Sequence, residues 1–408
     1  MLKIIILYHG FIQQIKKYFG ASLFILFCII ISIQIKAQKG IFKYGSIYPK
    51  THNENISFEL VANHIFVYVN IEGNKYRFLV DTGAPTSISK NVKGNFELVL
   101  KDEITDASGN KENISYVSIP ELRLGNLIYK NFVALKGDIE IFNSLGIDGI
   151  LGANLICKSI WDFNIGNNII TVSDQINKMT IKDFRKLKTK ILNTGTPTLS
   201  MTYFNKEKEK NIYFDTGYNG LFYLCRSVFE KLLNKNLIKE YIEGNGVVSQ
   251  NAFGNSEGKT YLLPLQMKIG KENIQPFLAD VDYDDESNLG SEWLLAYRTI
   301  LTKNRMYIKK YKDAELKRAL VTKGINISHN GSDLVVVFLW KNSSAQKKGI
   351  KIGDKILSIN GKNYSVGDKV EIDNIISDFY KNQSVVLEIN VKGNFIELFD
   401  EILLKIEP

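Results

Sequence analysis

The sequence predicts a mainly β protein built around a duplicated lobe, and three observations carry that expectation. Arg77-Phe78-Leu79-Val80-Asp81-Thr82-Gly83-Ala84 and Asn211-Ile212-Tyr213-Phe214-Asp215-Thr216-Gly217-Tyr218 each read as an apolar strand running into Asp-Thr-Gly, with the two Asp residues 134 positions apart. Leu122-Arg123-Leu124-Gly125 parallels Met267-Lys268-Ile269-Gly270, and in both copies Phe follows that Gly by seven residues (Phe132, Phe277) and Ala by nine (Ala134, Ala279). Ile150-Leu151-Gly152-Ala153 parallels Asn288-Leu289-Gly290-Ser291, its Gly lying 71 residues after the first Asp and 75 after the second. Offsets that match in this way imply one unit used twice, with one carboxylate in each copy.

The local chemistry of each copy is that of a tight turn. Gly after Thr admits backbone conformations closed to bulkier residues, so amide N–H groups can point at the Asp carboxylate while the Thr hydroxyl anchors the loop. Two such loops face to face would make a carboxylate dyad. Two carboxylates a few Å apart cannot both ionise cheaply, so their proton affinities split by roughly 3 units and the pair shares one proton over its working pH. The titration then belongs to the pair, and symmetry alone does not say which Asp is the base.

These residues resemble the retropepsin-like and pepsin-like aspartic proteases, whose lobes each show a strand, Asp-Thr/Ser-Gly, a β-hairpin flap and a later apolar-apolar-Gly turn entering a short helix. The resemblance spans roughly residues 55–312. It implies a bilobal acid protease fold, with lobe 1 over 38–180 and lobe 2 over 181–311, and an aspartic endopeptidase in which Asp81 and Asp215 are catalytic. Thr82, Gly83, Thr216 and Gly217 are then the supporting loops, with the two threonines bracing the loops against each other. Turn clusters at Thr105-Asp106-Ala107-Ser108-Gly109-Asn110 and Gln250-Asn251-Ala252-Phe253-Gly254 stand where the family carries a flap, which makes Gly109 and Gly254 the flap candidates. Tyr218 replaces the small residue common after this Gly, an expected narrowing of one side of the cleft.

Composition fits this class and argues against others. Apolar content of 45% and charged content of 23% are those of a globular chain rather than a disordered one. A net charge of +9 is spread along the sequence among Asn, Ile and Tyr, so no nucleic-acid partner is expected. Four His residues, at 9, 52, 64 and 329, with no His-Glu-x-x-His or Cys-x-x-Cys pattern, imply no metal, and no cofactor is called for. Beyond Cys28 the chain holds Cys157 and Cys225, either two small apolar side chains or a disulfide in an oxidising compartment. Gly254-Asn255-Ser256-Glu257-Gly258 matches Gly-x-Ser-x-Gly, yet strand-like residues follow it where a nucleophile elbow needs a helix.

At the N-terminus, Lys16-Lys17 precedes a mostly apolar run from Ala21 to Ile35 and then Lys36-Ala37-Gln38. This reads as a signal peptide over 1–37, the runner-up being an uncleaved N-terminal anchor that would be the chain's sole tie to a membrane. The body is then exported, to the periplasm or cell envelope of a bacterium or into the medium. Residues 39–54 read as an irregular lead-in, and the polar, Lys-rich stretch 174–190 as the boundary between lobes. Asp313 to Leu320 is rich in helix formers with Leu316 and Leu320 on one face, which predicts a connector helix over 312–322.

A further domain follows over 323–408. Ser343-Ser344-Ala345 through Gly349-Ile350-Lys351-Ile352-Gly353-Asp354-Lys355-Ile356-Leu357-Ser358-Ile359-Asn360-Gly361 resembles the Ser-x-Ala-x-x-x-Gly-Leu-x-x-Gly-Asp-x-Ile-x-x-Ile-Asn-Gly signature of bacterial PDZ domains. By position, Gly324, Ile325, Asn326 and Ile327 would form its ligand loop, although they depart from the usual Gly-Phe-Gly-Phe-like pattern. The implied partners are a peptide or protein substrate for the lobes and peptide termini for the PDZ domain, which on this reading is separable from the chemistry. A second reading, of a different class, is a non-catalytic peptide-binding envelope protein that uses the protease-like shell and the PDZ domain for capture; two intact Asp-Thr-Gly loops weigh against it.

Overall fold

The computed structural model describes residues 40–105, 111–251, 254–282, 286–329, 333–364 and 369–407. The expected signal segment 1–37, residues 106–110 with the flap candidate Gly109, and residues 252 and 253 lie outside the described residues.

Both lobes are built the same way. In lobe 1 the apolar strands His64–Ile71 and Asn74–Asp81 form a hairpin, and Gly149–Gly152 runs parallel to the second of them with Gly152 level with Asp81. Lys111–Leu124 and Leu127–Gly137 form a longer hairpin, with Glu97–Thr105 paired to its outer half. Lobe 2 repeats the plan with Pro197–Tyr203 and Glu207–Phe214, with Asn288–Leu289 parallel to the latter, and with the hairpin Gly254–Ile269 and Glu272–Asp282 flanked by Ile242–Asn251. A short helix follows each late Gly, Ala153–Ile156 and Trp293–Ala296. The matched Phe132 and Phe277 are at most 1% exposed, and Ala134 and Ala279 are fully buried, so the repeated residues are those that fill equivalent cores.

A six-stranded antiparallel sheet joins the lobes, in the order Arg185–Lys188, Arg305–Lys310, Tyr297–Leu301, Ile160–Asn164, Ile169–Ser173, Asn53–Ile56. Three strands come from each copy, and the central pair meets at Asp162 and Ile300. Across that seam Arg298 binds the buried Asp162 carboxylate in bidentate fashion, at 3.0 and 2.5 Å. The lead-in and the boundary stretch are thus partly strand: Ser46–Tyr48 pairs with lobe 1, and Asn53–Ile56 and Arg185–Lys188 are the edges of the joining sheet. Cys157 and Cys225 are free thiols. No helix among the described residues is long and apolar enough to cross a membrane.

The connector helix expected over 312–322 is not formed. The chain runs irregularly through 314–318 and then forms the strand Ala319–Thr322, paired with Glu401–Lys405. Tertiary contacts override a local preference that is weak over eight residues. Leu316 is pulled into the core of the lobes, and the Lys317 carbonyl accepts from the Leu278 amide at 2.8 Å.

The last domain has its own core around Ile325, Leu334, Ile356, Phe379 and Leu387, within strands Ile325–His329, Leu334–Trp340, Lys355–Ile359 and Ser384–Ile389 and helix Lys369–Lys381. Asn360 and Gly361, with φ of 52° and 73°, make the hairpin turn their sequence suggests. The domain is not a separate bead. Its strand Leu334–Trp340 adds antiparallel to Ile242–Asn251, setting Gly244 against Trp340 and Gly246 against Phe338, so that the lobe 2 sheet continues into the PDZ sheet. A β-carbon on Gly246, where φ is 127°, would lie 2.2 Å from the Val337 carbonyl oxygen. Leu262 and Leu278 of lobe 2 share one apolar cluster with Phe338, Trp340 and Leu404, so the domain packs directly on lobe 2.

Candidate active site

The strands Asn74–Asp81 and Glu207–Phe214 deliver Asp81 and Asp215 to the seam between the lobes. The turn after each Asp folds back on it: Asp81 Oδ1 accepts from the Gly83 and Ala84 amides at 2.7 and 2.9 Å, and Asp215 Oδ1 accepts from the Gly217 amide at 2.8 Å. The threonines cross over. Thr82 Oγ1 donates to the Phe214 carbonyl at 2.6 Å and accepts from the Thr216 amide at 3.0 Å, while Thr216 Oγ1 donates to the Val80 carbonyl at 2.7 Å and accepts from the Thr82 amide at 3.1 Å. Both threonines are fully buried, so these bonds face no competition from water.

Each carboxylate rests on the glycine of the opposite loop. A β-carbon on Gly83 would lie 2.3 Å from Asp215 Cγ, and one on Gly217 would lie 2.4 Å from Asp81 Oδ2, so any larger residue at either position would push the carboxylates apart. The two carboxyl groups face each other across the seam, placed to share a hydrogen-bonded proton. Burial, then the facing Asp215 charge and that shared bond, hold the Asp81 proton affinity well above the ordinary value of 3.8, against the pull of the Ala84 and Gly83 amides. A pair in this state holds one carboxyl that can donate a proton beside one carboxylate that can accept one.

Four residues that sequence reasoning did not single out complete the surroundings. Asn288 Nδ2 donates to Asp215 Oδ2 at 2.9 Å, from the position that Ile150 fills in lobe 1; its only sequence signal was a polar residue at an apolar place in the repeat. His64 Nε2 donates to the Gly217 carbonyl at 3.2 Å, and burial lowers its proton affinity against the opposing effect of Asp215. Beside it Asn63 Nδ2 donates to the Asn219 carbonyl at 3.0 Å and Asn219 Nδ2 to the Ala62 carbonyl at 3.2 Å, tying a lobe 1 turn to the lobe 2 loop.

Other predicted residues lie elsewhere. Tyr218 turns onto its own lobe, its ring against Gly220 and Gly290 and edge-on to Tyr223, with its hydroxyl donating to Asp280 Oδ2 at 3.4 Å. Gly254 opens the strand Gly254–Ile269 at the far end of the lobe 2 hairpin, opposite Asn251. Ser256 is two residues further along that antiparallel strand, which rules out a nucleophile elbow. In the PDZ domain Gly324, with φ of 85°, lies against Ser343, and Ile325 and Ile327 are buried while Asn326 is half-buried. The Ile327 amide is taken by the Tyr380 hydroxyl at 3.3 Å, and Lys323 before the loop is buried and paired with Asp400 at 2.8 Å.

Residues 67–155 match the aspartyl protease family and residues 317–389 match the PDZ domain family. Among solved structures, the chain is similar to Basic 7S globulin from soybean (12% identity, TM-score 0.39, covering 65% of this chain and 98% of that one) and to the aspartic proteinase from Irpex lacteus (12% identity, TM-score 0.40, 64% and 98%). No curated protein matches the sequence. The chain carries an aspartyl protease domain and a C-terminal PDZ domain within a mainly β fold.

Proposed function

We propose that the protein is an aspartic endopeptidase that hydrolyses peptide bonds with Asp81 and Asp215 as its catalytic pair. The observation that carries this reading is the crossed seating of each carboxylate over the other loop's glycine, locked by the reciprocal Thr82 and Thr216 bonds. The ionised carboxylate takes a proton from a water molecule as that water's oxygen bonds to the scissile carbonyl carbon. The protonated carboxyl gives its proton to the developing oxyanion, and the tetrahedral species collapses as the amine leaves with a proton. No covalent enzyme intermediate forms.

Substrates are extended peptide or protein segments, and the PDZ domain is a peptide-binding module. The N-terminal sequence supports an exported enzyme of the cell envelope or periplasm.

The test is incubation of the protein comprising residues 38–408 with a peptide library from acidic to neutral pH, with and without a pepstatin-type inhibitor. Inhibitor-sensitive cleavage at internal bonds is the expected result. Peptide binding without cleavage at any pH would overturn it in favour of a capture protein.

A further inference from the structure

We infer that Asn288 is a positioning residue of the carboxylate pair, holding Asp215 as the ionised member and leaving the shared proton on Asp81. Its kinetic consequence rests on the endopeptidase reading above, whereas the assignment itself rests on geometry.

The duplication supplies an internal comparison. Ile150 stands level with Leu79, two residues before Asp81, and Asn288 stands level with Tyr213, two residues before Asp215. Ile150 and Asn288 are 6% and 3% exposed, so both are core positions, yet one holds an aliphatic chain and the other an amide. Asn288 Oδ1 is buried with no partner among the described residues and Nδ2 lies 3.4 Å from the Tyr223 hydroxyl, so the amide is poorly served except in its 2.9 Å bond to Asp215 Oδ2. A buried polar group held at such a cost is better explained by what it does to its one close partner than by packing.

That bond makes the two carboxyl groups unequal. Both oxygens of Asp215 have a donor, Oδ1 from the Gly217 amide and Oδ2 from Asn288. Both donors to Asp81 converge on Oδ1, which leaves Oδ2 free for a proton shared with Asp215. An amide N–H can only donate, so it stabilises the charged form of Asp215 over the neutral one. Among the described residues, the other titratable groups facing Asp215 are Asp81 across the seam, His64 from the start of its strand, and the Tyr223 phenol behind Asn288. Asp215 is then the group that takes the proton from water, and Asp81 the group that protonates the carbonyl oxygen.

Carbon-13 NMR of protein labelled at the Asp carboxyl carbons, with Asp81→Asn and Asp215→Asn used for assignment, follows the titration of the pair without any substrate. In Asn288→Leu, which keeps the branching of the side chain and removes the donor, the lower of the two titration steps should rise by about one pH unit, a tenfold change in proton affinity. The acidic limb of kcat/KM should move by the same amount with KM little changed. A folded Asn288→Leu whose lower step stays where the parent's is overturns the inference, whether or not the parent cuts peptides. Should that variant not fold, Asn288→Ala, which also removes the donor, serves the same measurement with the same two outcomes. Absence of cleavage by the parent would sink the endopeptidase reading alone, because the carboxyl titration is read independently of it.

Discussion

Thr82 and Thr216 each donate a hydroxyl proton to a carbonyl of the other's strand and accept the other's backbone amide, four bonds between 2.6 and 3.1 Å wholly removed from solvent. Because the aspartates immediately precede these residues, the same bonds that join the lobes fix the approach of the carboxylates.

Thr82→Val keeps the shape and removes the hydroxyl, leaving the Thr216 amide and the Phe214 carbonyl buried without partners. A loss of about 2–4 kcal/mol is expected. Thr82→Ser should recover most of it. Urea denaturation of the three proteins measures this directly, and a Val variant as stable as the parent would show that water enters the seam.

Asp81→Asn and Asp215→Asn should each lower peptide cleavage by about 1000-fold or more, and the double variant should be scarcely worse than either, since each carboxyl acts only through the other. Single-turnover rates on one peptide substrate decide it. Near-parental turnover in Asp215→Asn would reduce lobe 2 to a scaffold.

The raised proton affinity of Asp81 makes a separate prediction about stability. Asp81 binds its proton more tightly folded than unfolded, so its contribution is fully present below the unfolded pKa and is lost as pH rises through the raised folded value. Asp81→Asn does not titrate. Its thermal midpoint should match the parent's at about pH 3 and exceed it by a few degrees at about pH 7. The lowered affinity of His64 acts with the opposite sign, its contribution being lost as pH falls, but it is common to both proteins and cancels in the difference. Calorimetric scans across this range check the crossing.

Gly246→Val should loosen the PDZ domain from lobe 2, because the new side chain meets the Val337 carbonyl and must adopt a φ of 127°. Gly349→Ala is the comparison, since its φ is 87° with nothing within 4 Å of the added carbon, and it should cost only about 1 kcal/mol. Limited proteolysis between the lobes and the PDZ domain should accelerate in the first variant and not in the second.

The parts of this architecture that could be read from the sequence are those in which one physical requirement acts twice. Phe132 with Phe277 and Ala134 with Ala279 fill matching cores, and each Asp needs a following Gly for its turn, so the repeat is visible as matched spacing. Asn288 was hidden because it breaks that repeat: set against Ile150 it looks like drift, and its meaning depends on a carboxylate 73 residues earlier in the chain. The irregular 314–318 segment was hidden for a different reason. Its helix-forming residues express a local preference, and the burial of Leu316 among residues of the lobes is a long-range fact that no local pattern carries. The lobe 2 to PDZ ladder likewise joins Gly244 and Gly246 to residues nearly a hundred positions away.

That ladder also bears on how the protein avoids sticking to itself. Lobe 1 ends its sheet on Glu97–Thr105, whose Glu97, Lys101, Asp102 and Glu103 deter another strand from pairing there. The corresponding border of lobe 2, Ile242–Asn251, carries Glu243 as its one charge, beside Gly, Val and Asn, and would invite association between molecules if left bare. The Leu334–Trp340 strand covers part of it. One domain therefore serves as the other's edge guard, and a lineage that lost the PDZ domain would be expected to place charges along this strand to remain in solution.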